Sequence, residues 1–152
     1  MPQIQNSIKI KAPYEIVFDM TNDIENWPNL FTEYKEAKIL YYRQGYVLFQ
    51  LTTHPDQNQT SRSWISERYF SKKEKRVIAR RIYPLLPFKE MNIEWSYTSE
   101  NGITEMVWIQ RFEVDPAAGF TEEQVINHLN KTSVEQLAAI KANIERAVGE
   151  LR

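Results

Sequence analysis

Between Tyr34 and Val114 apolar and polar side chains alternate, and short clusters of turn-forming or charged residues interrupt the alternation. Such a chain favours antiparallel strands joined by hairpins, because period two places alternate side chains on opposite faces of a pleated sheet. The predicted strands are Tyr34–Tyr42, Tyr46–Thr53, Ser61–Phe70, Arg76–Ile82, Met91–Thr98 and Thr104–Val114. They are separated by Gln44-Gly45, His54-Pro55-Asp56-Gln57-Asn58, Ser71-Lys72-Lys73-Glu74, the Pro84 to Pro87 stretch, and Glu100-Asn101-Gly102. After Pro116-Ala117-Ala118-Gly119 the period becomes helical. Val134, Leu137, Ile140, Ile144, Val148 and Leu151 then form an apolar stripe on one predicted helix from Thr121 to about Arg152, opened by the capping box Thr121-Glu122-Glu123-Gln124.

Upstream, Ile4, Asn6, Ile8 and Ile10 alternate with Gln5, Ser7, Lys9 and Lys11, which predicts a half-buried strand Ile4–Lys11. Pro13 suits the first turn of a short helix carrying Ile16, Val17 and Met20. The stretch Asp23-Ile24-Glu25-Asn26-Trp27-Pro28 reads as a second, interrupted near Pro28. The expectation is an α+β chain forming a single domain over residues 1–152. A curved antiparallel sheet of seven strands has an apolar face to cover, and the long helix is the element available to cover it. A strongly bent sheet gripping one helix leaves room for a cavity.

Composition narrows the chemistry. The chain has no cysteine and two histidines, which excludes thiol chemistry and Cys-based metal sites and makes a His-rich metal centre unexpected. With 19 Lys+Arg against 20 Asp+Glu, nucleic acid is not an expected partner. No apolar run is long enough to cross a bilayer and the N-terminal segment lacks a signal-peptide core, so no membrane partner and a cytoplasmic location are expected. No phosphate-binding glycine loop, nucleophile elbow or zinc-protease motif is present, and no metal or cofactor is expected. Charge is nonetheless uneven. From Arg62 to Arg81 eight bases face two acids, so this segment carries +6 in a chain of net charge −1. It is either a solvated turn or a docking patch for an acidic partner.

The strand patterns also say which side chains point inward. Met106, Trp108, Gln110, Phe112 and Val114 share a face opposite Glu105, Arg111 and Glu113. Met91, Ile93, Trp95 and Tyr97 do the same opposite Asn92, Glu94 and Ser96. The Ser61–Phe70 strand is ambiguous: Arg62, Trp64, Ser66, Arg68 and Phe70 lie on one face, Ser63, Ile65, Glu67 and Tyr69 on the other. If the Trp64 face is inward, Arg68 is buried and needs a carboxylate, a carbonyl-rich ligand or water. Indoles mixed with Ser66, Arg68 and Gln110 suit either an ordinary core or a pocket for a flat, oxygen-rich ligand.

The segments NSIKIKAPYEIVFDMTNDIENWPNLFTEYKEAKIL, Trp64-Ile65-Ser66-Glu67-Arg68, PFKEMNIEWSY, GITEMVWIQRFE and INHLNKTS resemble the tetracenomycin-type aromatase/cyclases of bacterial type II polyketide synthases. The resemblance runs from about Ser7 to Ala142. It implies a helix-grip fold of the START-like (Bet v 1-like, SRPBCC) superfamily, and cyclisation and aromatisation of a poly-β-ketone carried by an acyl carrier protein. The first ring is expected between the ninth and fourteenth backbone carbons. By the same resemblance Arg68 and Tyr34 are the candidate catalytic residues. Trp27, Trp64, Ser66, Met91, Trp95, Trp108 and Gln110 are expected to line the cavity. Gln136 stands where the family has a pocket asparagine, and His128 and Asn130 fall in a matching block. Lys72, Lys73, Lys75 and Arg76 are the expected docking residues for the carrier protein, near the cavity mouth. Other synthase components are further expected partners, and the chain is expected as a monomer or weak dimer. The rival readings are a non-catalytic START-like carrier or chaperone, and an interaction domain of the Hsp90-activator kind. A cluster of Tyr34, Ser66, Arg68 and Gln110 inside one pocket would favour the enzyme over a lipid carrier.

Overall fold

A computed structural model describes residues 1–151; the predicted helix end at Arg152, and with it the last residue of the predicted domain, lies outside the described residues. The chain order is β1 (Gln3–Ile10), α1 (Tyr14–Thr21), a 3-10 turn (Ile24–Asn26), α2 (Trp27–Leu30), β2 (Tyr34–Arg43), β3 (Tyr46–Thr53), β4 (Ser63–Ser71), β5 (Arg76–Tyr83), β6 (Phe88–Glu100), β7 (Ile103–Val114), a second 3-10 turn (Pro116–Ala118) and α3 (Glu122–Glu150). All strands join one antiparallel sheet in the order β1-β7-β6-β5-β4-β3-β2. Consecutive strands from β2 to β7 therefore pair as hairpins, and β1 pairs with β7, which leaves β1 and β2 at the sheet edges. This is the expected helix-grip architecture, with modest shifts of strand ends.

The expected break near Pro28 is the change from the 3-10 turn to α2 between Asn26 and Trp27, and Pro28 itself is accommodated. It sits in the first turn of α2, where a missing N–H leaves no bond unmade. Along α3 the buried face is Ser133, Gln136, Leu137, Ile140 and Ile144, with Val125 buried a few turns earlier. The expected stripe is corrected at two points: Val134 is 58% exposed and Leu151 is 77% exposed. Val134 lies about 100° around the helix from the middle of the buried face, and the polar Ser133 and Gln136 occupy the places that an apolar stripe would fill. The predicted capping box is present, with Thr121 Oγ1 accepting from the Gln124 backbone N–H and the Gln124 side chain accepting from the Thr121 N–H.

Polar bonds fix α3 to its surroundings. Gln136 Oε1 accepts from the Thr32 N–H at 2.9 Å, and Gln136 Nε2 donates to Thr32 Oγ1 at 2.8 Å. Asn143 donates to the Leu30 carbonyl at 2.9 Å, and Gln110 of β7 donates to Ser133 Oγ at 2.7 Å. The helix packs mainly on β1, α1 and α2. The bent middle of the sheet, β3 to β6, therefore faces α3 across a gap.

Candidate active site

That gap is a cavity of ≈ 450 Å³ walled by α2, by strands β2 to β7 and by the first half of α3. Its mouth is marked by the exposed wall residues Arg62, Phe120, Gln124 and His128. Its depth is marked by Trp27, Arg68 and Trp95, which are between 2% and 4% exposed. The ambiguous face of β4 is resolved: Ser66 and Arg68 are buried, with Trp64 beside them on the cavity wall. Glu67 points outward, where it accepts from Arg80 Nε at 2.6 Å and from the Tyr46 hydroxyl at 2.8 Å.

Arg68 is held without a carboxylate. Its Nε donates to Asn22 Oδ1 at 2.9 Å, and its guanidinium carbon lies 4.2 Å over the Trp95 ring and 5.1 Å over Trp27. Burial pulls its pKa down to about 10, opposed by the nearby Tyr97 and Tyr34, so the group remains a cation at neutral pH. Asn22 is itself fixed by donating to the Phe18 carbonyl at 2.9 Å and to the Tyr97 hydroxyl at 3.4 Å. Burial pushes the Tyr34 phenol well above the usual tyrosine range, and neighbouring Glu33 adds to that shift. Tyr34 is therefore a neutral hydroxyl at neutral pH, with its proton in place.

Ten of the residues expected at the site stand on this wall: Tyr34, Arg68, Trp27, Trp64, Ser66, Met91, Trp95, Trp108, Gln110 and His128. Gln136 and Asn130 do not. The Gln136 amide is engaged by Thr32, and Asn130 accepts from Asn6 at 3.2 Å, tying α3 to β1. The β4–β5 turn with Lys72, Lys73 and Lys75, and Arg76 at the start of β5, are not near the mouth either. The turn follows the last residue of β4, whereas Arg62 at the mouth precedes the first, and the strand between them spans about 30 Å. Lys72 is paired there with Asp19 at 2.9 Å, Arg76 with Glu94 at 3.0 Å, and Lys75 lies over the Tyr14 ring.

Glu33 and Arg81 also stand on the wall, beyond the residues expected there. Arg81 lies 4.5 Å over the Trp64 ring and donates from Nε to the Pro84 carbonyl at 2.8 Å, and burial lowers its pKa to about 10. Glu33 is the one carboxylate among the described wall residues. Burial raises its pKa, and the charges of Arg62 and Arg81 partly offset the rise. A signal for Arg81 was present, since Val77, Ala79 and Arg81 alternate on one face of β5. Among the described residues no group of three or more His, Asp or Glu side chains is arranged to hold a metal ion. No helix of the described residues is long and apolar enough to cross a membrane.

Residues 1–145 match the family model described as polyketide cyclase / dehydrase and lipid transport. A provisionally named polyketide cyclase of Streptomyces cyaneus is 40% identical over 141 residues, covering 93% of this chain and 92% of that protein. The crystal structure of the ZhuI aromatase/cyclase from Streptomyces sp. R1128 superimposes with a TM-score of 0.86 at 21% identity, covering 97% of this chain and 95% of that one. A START superfamily protein from Mycobacterium smegmatis gives 0.77 at 19% identity, with 99% of both chains covered. The likeness to both structures is one of fold, and it agrees with the sheet and helix described above. With the family model matched over nearly the whole chain and a relative at 40% identity, the chain belongs to the polyketide cyclase/dehydrase and lipid transport family.

Proposed function

We propose that this protein is a cofactor-independent polyketide aromatase/cyclase. It takes up a poly-β-ketone delivered by an acyl carrier protein in the cytoplasm and promotes regiospecific aldol closure followed by dehydration. The first ring joins the ninth and fourteenth backbone carbons. The observation that supports this reading most is Arg68: a charged guanidinium, 2% exposed, anchored by an amide instead of a carboxylate, deep in a cavity lined by indoles. Burying an uncompensated cation costs several kcal/mol. A ligand oxygen that gathers negative charge offsets that cost, and an alkyl chain does not.

In ring closure an α-carbon of the chain loses a proton and attacks a ketone carbon further along. The carbon–carbon bond forms and the ketone's π pair moves onto its oxygen. Arg68 donates hydrogen bonds to that oxygen as the charge develops. Tyr34 supplies the proton that converts the alkoxide to a hydroxyl, and the proton lost from the α-carbon restores the phenol through water. Glu33, the wall's carboxylate, is the candidate acceptor for the α-proton. Loss of the new hydroxyl with a second α-proton releases water, and enolisation of the remaining ketones completes the aromatic ring. The indole walls hold one fold of a chain that otherwise cyclises at random.

The deciding experiment is reconstitution with a minimal polyketide synthase. Product profiles are compared without this protein, with it, and with Arg68→Ala. Loss of the correctly cyclised product in the variant supports catalysis; product ratios equal to wild type would make the protein a binding scaffold.

A further inference from the structure

Arg68 is not alone in holding a spare donor. Trp95 Nε1, Trp108 Nε1 and Arg68 Nη2 are all withdrawn from solvent and have no hydrogen-bond partner among the described residues. All three are donors, and no buried side-chain acceptor among the described residues shares that state. A buried donor left unpaired is costly, so folded proteins rarely keep one without a reason. The fold does satisfy an indole elsewhere in the same wall, since Trp27 Nε1 donates to the Thr21 carbonyl at 3.2 Å. The three spare donors are also neighbours. Trp95 and Trp108 are directly opposite each other across the β6–β7 ladder, with ring centroids 5.7 Å apart, and the Arg68 guanidinium lies 4.2 Å over Trp95.

We infer that Trp95 and Trp108 read oxygen. Their N–H groups donate to carbonyl oxygens of the bound chain that flank the one held by Arg68, so the two tryptophans determine specificity rather than only filling space. The assignment rests on the cyclase reading for the identity of the chain. A poly-β-ketone carries an acceptor on every second carbon, which suits three donors clustered in one patch. A fatty chain carries its oxygens at one end and leaves all three donors unpaired. The protein therefore favours a fully oxygenated chain over one in which the ketones facing Trp95 and Trp108 have been removed.

The test uses two probes of the same shape, anthraquinone-2-sulfonate and anthracene-2-sulfonate, titrated calorimetrically into the whole protein. Trp95→3-benzothienylalanine and Trp108→3-benzothienylalanine replace the indole N–H by sulfur and keep the ring. Each is expected to weaken diketone binding by about 5- to 10-fold, the loss of one neutral hydrogen bond, and to leave the hydrocarbon within about twofold. Equal changes for both probes, or no change for either, would overturn the inference. A second measurement needs no variant. In protein labelled with 15N at tryptophan, the indole N–H resonances of Trp95 and Trp108 should move downfield with the diketone and not with the hydrocarbon; identical responses would again overturn it. Neither probe needs a carrier protein or a reaction, so a failure here is separable from a failure of the cyclase reading, which Arg68→Ala product profiles decide.

Discussion

A buried arginine is ordinarily neutralised by a carboxylate, yet Arg68 is anchored by the Asn22 amide, which also bonds Phe18 and Tyr97. The neutral anchor fixes the side chain and leaves its charge uncompensated. Arg68→Ala is expected to lower correctly cyclised product by roughly 30- to 1000-fold, the effect of removing about 2–4 kcal/mol of oxyanion stabilisation. Its thermal midpoint should not fall, because an unpaired buried charge is removed with the side chain. Asn22→Asp separates anchoring from charge. The new carboxylate pairs with Arg68 but gives up the N–H that Asn22 donates to the Phe18 carbonyl, so the readout is product, which is expected to fall; a variant with wild-type product would show that the uncompensated charge is not used. Glu33 makes a pH prediction. Its folded pKa is raised by burial, so the folded state holds its proton more tightly than the unfolded chain does. The stability this gives is full below the ordinary carboxylate value of 4.5 and is lost as pH rises through the raised value. Glu33→Gln should therefore melt above wild type at pH 8 and close to it at pH 4, and a constant difference across that range would refute the assignment.

At the level of elements, α3 is positioned more by polar bonds than its apolar stripe suggests. Gln136→Ala removes both bonds to Thr32. A loss of about 1–3 kcal/mol in urea unfolding is expected, with the product profile unchanged. A shifted profile with unchanged stability would return Gln136 to the cavity. The strands were legible in the sequence because nearly every one alternates cleanly, and β6 and β7 declared their inward tryptophans outright. What stayed hidden had physical reasons. On β4 both faces mix apolar and polar groups, since Arg68 is anchored through Nε by Asn22 and Glu67 is bonded by Arg80, partners on other elements. On β5 the apolar Ile78 faces outward, 48% exposed, while Arg81 faces in, so the pattern runs against its usual meaning. Glu33 and Phe120 lie between elements, where no period exists to place them. Ser133 and Gln136 break the stripe of α3 with polar atoms that only a distant partner can explain.

For the molecule as a whole, the basic segment from Arg62 to Arg81 divides between two ends of the sheet. Arg62 and Arg81 stand on the cavity wall, whereas Lys73 lies on the turn beyond the other end of β4. The separation of about 30 Å is some three to four Debye lengths at physiological ionic strength, so the two groups act on a docking partner independently. If an acidic carrier protein delivers its chain at the mouth, Arg62→Glu should weaken its capture at low salt, with the difference fading at high salt, and Lys73→Glu should leave it unchanged. Titrations of the carrier against both variants at two salt concentrations decide this, and the reverse pattern would move docking to the turn. The cavity has one more consequence for the molecule. The chain has four tryptophans, and all four stand on the cavity wall. Excited at wavelengths that the eight tyrosines do not absorb, its emission therefore arises wholly from the site, with no indole elsewhere to contribute a constant background. A quinone-like guest, lying against all four rings, should extinguish nearly the whole signal as it enters and restore it as it leaves, so the unlabelled protein is an optical gauge of its own occupancy.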